Sequence, residues 1–171
     1  PGLMHVTDNL KIAIESFEGV VISGPRTGSK TLDMTIPNGL PPIVPGVIGT
    51  VASVESLRPN ASISIKAGGN FNCWMETLVD CDNVIESCED GRPAVIGQKN
   101  RPYLAGWGDQ KALKRMFKEA CLSQSIPITQ MPDCVRVRET LKHRFWFNYS
   151  ETESKVGAIK LPPSGVFWEP L

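Results

Sequence analysis

Apolar and polar positions alternate along much of this chain, and a helical period shows in two places. Residues 8–17, DNLKIAIESF, set Leu10, Ala13, Ile14 and Phe17 on one face, with Thr7 or Asp8 as cap and Gly19 as stop. Directly behind, GVVIS is wholly apolar, the pattern of a short strand buried in a parallel sheet. TVASVESL (50–57) and ASISIKA (61–67) then alternate around a turn at Pro59 and Asn60, and FNCWMETLV (71–79) follows Gly68 and Gly69 as a further strand. RPAVIGQ and RPYLAGW read as a hairpin about Lys99 and Asn100. From Asp109, DQKALKRMFKEACLSQ gathers Leu113, Met116, Phe117, Ala120 and Cys121 on one helical face, with basic residues opposite. Pro127 and Pro132 mark a linker, after which CVRVRET, HRFWFNYS, VGAIKLP and GVFWEPL predict four short strands. This order predicts an α/β layer followed by a small all-β unit. With one parallel strand ahead of the proline-rich region, it also leads us to expect a segment of a longer polypeptide.

The stretch ISGPRTGSKT (22–31) comes within one residue of a phosphate-binding loop: Gly24 opens the count, Lys30 and Thr31 close it, and Ser29 stands in place of the second glycine. A phosphate loop leads straight into a helix whose N-terminus faces the anion. Here Pro37, Pro41, Pro42 and Pro45 force an extended path instead, so a nucleotide site is not expected. Arg26 and Lys30 are read as side chains fixed on a tight turn at a strand's carboxyl end, an exposed place for contact with a partner or a neighbouring domain.

At 171 residues and 41% apolar content the chain can bury a core, and it has no run of about 18 apolar residues that would span a membrane. No secretory signal pattern opens it, so a soluble, cytoplasmic protein is expected. Eighteen basic and eighteen acidic side chains cancel, without a block of like charge to point to nucleic acid or an anionic membrane. Cys73, Cys81, Cys88, Cys121 and Cys134 contain no C-x-x-C pair, so reduced thiols are expected rather than zinc. Cys81 and Cys88 are spaced so that they could meet across adjacent strands. No cofactor or metal is expected. Glu55, Glu76, Glu86, Asp109 and Glu139 are the carboxyl groups among which a glycosidase pair would have to be sought. Trp74, Trp107, Trp146 and Trp168 fall within or at the ends of strands, where packing is the ordinary role of an aromatic ring.

PGLMHVTDNL, VVISGPRTGSKTLDMTIPNGLPP, VESLRP, DGRPAVIG, YLAGW and FWFNYS follow one another in an order that resembles the bacterial β-galactosidases of glycoside hydrolase family 42. The resemblance covers nearly the whole chain and assigns residues 1–130 to part of a trimerisation domain and 131–171 to a small C-terminal β-domain. It implies a class I glutamine amidotransferase-like, flavodoxin-like α/β fold without amidotransferase chemistry. None of the five cysteines is flanked by the glycines of a nucleophile elbow, His143 lies in an alternating strand, and His5 has no identified acid partner. Similar galactosidases hold both catalytic glutamates on a separate TIM barrel. No residue of this chain is therefore assigned to catalysis. The expected partners are the catalytic barrel and further copies of the chain, forming a trimer, with Arg26 and Lys30 at the interface or at the mouth of an active site. Two alternatives stay open: an amidotransferase-like hydrolase using one cysteine, and a stand-alone small-ligand-binding module.

Overall fold

A computed structural model describes residues 3–171. The chain divides into two compact units, the first ending at Ile126 and the second comprising Pro127–Leu171. Secondary structure is dominated by strands, with one helix of nine residues and one of 14. This overturns the expected flavodoxin-like α/β layer. A parallel sheet needs a crossover of a dozen or more residues between neighbouring strands, and most connections here are too short for one. Among the described residues all paired strands are antiparallel, and the apolar 19–23 stretch contributes one parallel bridge, Ser23 to Tyr103. The small β unit agrees with the expectation for the tail.

In the first unit, helix α1 (Asp8–Ser16) begins at Thr7, whose hydroxyl accepts the Leu10 N–H. Only Ile14 of its predicted face is buried, and Phe17 is exposed. Strands β1 (Thr50–Ser56) and β2 (Ser62–Ser64) both pair with the long strand β3 (Asn70–Val79), as does β7 (Gly106–Gly108). A second sheet orders β4 (Val84–Ser87), β5 (Pro93–Gln98) and β6 (Arg101–Leu104), with Lys99 and Asn100 forming the predicted hairpin turn. The sheets meet where the Glu76 N–H donates to Ala105 O and the Ala105 N–H to Ala94 O. Phe71, Met75, Val95, Ile96 and Tyr103 form the centre of the core. Each contributes roughly 1.5–3 kcal/mol by leaving water.

Helix α2 (Gln110–Ser123) starts at Asp109, whose carboxylate accepts the N–H groups of Ala112 and Asn70. It buries Ala112 and Met116, whereas Leu113 and Phe117 are exposed, so its packed face is turned from the predicted one. Gly69 explains the turn: its φ is +89°, and a Cβ there would lie 2.5 Å from Ala112 N.

The second unit has five strands, one more than predicted. Strand β9 (His143–Asn148) lies between β8 (Val135–Glu139) and β12 (Val166–Pro170), and β10 (Ser154–Val156) pairs with β11 (Ile159–Leu161). Val135, Trp146 and Leu161 form its core. Buried Asn148 ties its loops, donating to Thr152 O and Pro162 O while accepting from the Ser150 N–H.

Arg101, 5% exposed, closes α1: its guanidinium donates to the carbonyls of Ile14, Phe17 and Gly19. Those oxygens are orphan acceptors at the helix end and just beyond it. Replacing Arg101 by Met should therefore cost about 3 kcal/mol, because charged hydrogen bonds are lost and carbonyls are left bare. Urea unfolding checks the magnitude, and hydrogen exchange should show α1 opening first.

Candidate functional site

The segment 20–23 enters beside β6: the N–H groups of Val21 and Ser23 donate to Asn100 O and Pro102 O, and Ser23 O accepts from the Leu104 N–H. Past Ser23 the chain turns sharply. Thr27 N–H returns to Gly24 O, and the Ser29 hydroxyl donates to Arg26 O at 2.7 Å. Gly28 is threaded between two other segments, donating to Leu3 O and accepting from the Ile43 N–H. A Cβ on Gly28 would stand 2.4 Å from Ile43 O, so only glycine fits. Beyond Thr31 the chain runs in turns and bends as far as β1.

Arg26 is the exposed residue in a run of buried neighbours, with Pro25 and Thr27 on either side. Its φ of 70° lies in the left-handed region, which costs about 1–2 kcal/mol for a side chain of this kind. The strain is held by a buried carboxylate. Glu76 Oε1 accepts the Arg26 N–H at 2.9 Å, and Glu76 Oε2 accepts the Tyr103 hydroxyl at 2.5 Å. Glu76 is 3% exposed and Tyr103 fully buried. Burial pushes the Glu76 carboxyl above the ordinary glutamate range, opposed by the hydrogen bonds from Tyr103 and the Arg26 backbone. Burial and the neighbouring carboxylate push the Tyr103 phenol up. The Arg26 guanidinium lies 5.8 Å above the centre of the Trp74 ring, and one of its nitrogens is 3.2 Å from Met4 Sδ. The result is a cation presented at the surface from a fixed position.

Lys30 sits on the same loop. It is half-buried, its N–H donates to Met4 O, and its carbonyl is 3.4 Å from His5 Nδ1. The remaining carboxyl candidates are not brought together. Glu55 pairs with Arg92, Glu86 with Arg115, Glu139 with Arg144, and Asp109 caps α2. All five cysteines are free, Cys81 and Cys88 included. Trp146 is core, Trp107 and Trp168 are exposed, and the His143 ring meets Trp168 edge-on. Among the described residues no group of His, Cys, Asp and Glu could hold a metal ion, and no helix is long and apolar enough to cross a membrane. The residues that sequence reasoning missed are Glu76 as a clamp and Tyr103 as its donor. In FNCWMETLV the glutamate falls where an alternating strand would meet solvent, and no local signal marks it.

No family model matches the chain. It is 29% identical over 157 residues to a β-galactosidase of Thermus thermophilus, covering 87% of this chain and 24% of that protein. It is also 29% identical over 158 residues to the β-galactosidase BgaA of a Thermus species. The crystal structure of the β-galactosidase of the psychrophilic Marinomonas ef1 superposes with a TM-score of 0.81 at 26% identity, covering 98% of this chain and 28% of that one. The β-galactosidase of the haloarchaeon Halorubrum lacusprofundi shares the fold, with a TM-score of 0.86 at 21% identity over 99% of this chain. The chain thus spans about a quarter of the length of the curated relatives it matches.

Glu76 sets a pH dependence whose sign follows from its raised pKa. Below the ordinary glutamate range the carboxyl is protonated folded and unfolded, and burial carries no penalty. As pH rises from that range through the raised folded value, the unfolded state ionises first and stability falls. Glu76→Gln keeps an acceptor for the Arg26 N–H but turns an amide N–H toward the Tyr103 hydroxyl, which must then accept where it now donates, so its urea-unfolding free energy should lack this slope. Glu76→Ala should cost about 2 kcal/mol or more by leaving two buried donors bare.

Proposed function

We propose that this chain is the non-catalytic C-terminal assembly segment of a cytoplasmic β-galactosidase of glycoside hydrolase family 42. The observation that carries this reading is the extent of the likeness: it runs through nearly all of this chain yet takes up about a quarter of each curated relative. In this reading the remainder of the longer polypeptide is a TIM barrel that removes terminal non-reducing β-D-galactose from lactose and other β-galactosides. Residues 1–130 belong to the trimerisation domain and residues 131–171 to the small C-terminal β-domain. Arg26 and Lys30 meet a neighbouring subunit or the mouth of its active site. The preset position of Arg26 supports that role, because a guanidinium already fixed in space loses little entropy when it docks.

The alternative of a cysteine hydrolase finds less support. The Cys88 thiol is buried and pushed up to about 11 by that burial, and burial raises Cys81 as well, so neither is poised as a thiolate.

Sedimentation equilibrium over a range of concentrations, alongside an assay with a chromogenic β-galactoside, tests the proposal. A stable trimer without turnover is the expected result. A monomer at all concentrations would remove the assembly role, and turnover abolished by a thiol reagent would establish the hydrolase instead.

A further inference from the structure

Lys30 borders a cavity of about 150 Å³ beside the loop of residues 22–31. Three basic side chains line it, His5, Lys11 and Lys30, and much of the remaining wall is apolar, with Val6, Pro37 and Ile43. Lys11 is already neutralised by Asp8 at 2.9 Å. Lys30 is different: the residue is partly buried, and among the described residues its ammonium has no hydrogen-bond or ion-pair partner. An ammonium with no acceptor beside a partly apolar cavity leaves its donors free for an anion, which would gain charge-assisted hydrogen bonds there. A cavity of this size holds a group as large as a benzene ring, which is room for a carboxylate carrying a short hydrocarbon tail. A bare inorganic anion would leave the apolar wall unused.

We propose that the cavity bounded by His5, Lys11 and Lys30 binds small organic monocarboxylates, with the carboxylate on the Lys30 ammonium and the tail against Val6, Pro37 and Ile43. The site shares Lys30 with the assembly reading but needs neither a second copy nor a catalytic domain, so loss of butyrate binding and loss of the trimer are separate outcomes. Butyrate is the probe, with 1-butanol as its uncharged counterpart and inorganic phosphate as an anion without a tail. Calorimetric titration of the 171-residue chain should give saturable butyrate binding, weakened at least tenfold in Lys30→Met and retained within a few fold in Lys30→Arg. Circular dichroism and the urea midpoint confirm that each variant is folded. Sedimentation in the same buffers separates binding from any change of assembly state. Absence of saturable binding, equal binding by Lys30→Met, or butanol binding as tightly as butyrate would each overturn the proposal. Phosphate binding as tightly as butyrate would overturn the assignment to carboxylates.

Discussion

The Glu76 carboxylate is the point on which the first unit turns. It rises from β3, the strand around which one sheet is built, and accepts the hydroxyl of Tyr103 from the other sheet and the backbone N–H of Arg26 from the loop. A buried carboxyl group is expensive, and its raised pKa expresses that cost. The return is geometric. With both oxygens accepting, the group fixes the distance between two sheets and holds a non-glycine residue at positive φ, where the chain would not otherwise rest. An apolar residue of similar volume would pack there but could not hold Arg26, so the cost is tied to the shape of the loop.

Arg101 applies the same principle with the opposite charge. A guanidinium buried beneath the end of α1 takes carbonyls that a short helix cannot satisfy itself, where a Gly-based cap or water would ordinarily serve. It stands at the start of β6, directly before Pro102, and so binds helix and sheet together. Nine residues with one buried apolar side chain form a weak helix alone. Their place depends on this charge.

Strands and turns were legible because they are written locally. Alternation, a proline-asparagine turn and a two-residue hairpin each need only a few neighbouring residues, and β1, β3, β5, β6, β8, β9 and β12 lie where the pattern puts them. Strands β4 and β10, of four and three residues, are too short to carry a period. The packed face of α2 departs from its periodicity for a different reason: periodicity weights large apolar residues, whereas the helix is seated by Asp109 and by the close approach of Gly69 to Ala112. The α/β expectation failed because an apolar tetrad resembles a parallel strand whether or not a sheet continues from it. Arg26 could be singled out from its turn chemistry. Glu76 could not, since its role depends on a tyrosine 27 positions away and on a loop 50 positions before it.

The exposed apolar residues bear on assembly through preorganisation. Leu32, Met34, Ile36, Leu40 and Ile48 all face solvent along the irregular stretch after the loop. Such a stretch would ordinarily collapse onto its own apolar side chains or fluctuate. Here it is pinned by the Ile43 N–H to Gly28 O and by the Val51 N–H to Pro41 O, while Val44 and Val47 anchor its second half in the core. Under the assembly reading, the backbone entropy of this stretch is spent when the unit folds, and a docking partner gains from covering the five side chains without also having to order the chain that carries them. The same reasoning joins it to Arg26. Both present side chains from backbone already fixed by buried contacts, and a surface prepared in that way binds with less loss than a mobile loop of the same composition.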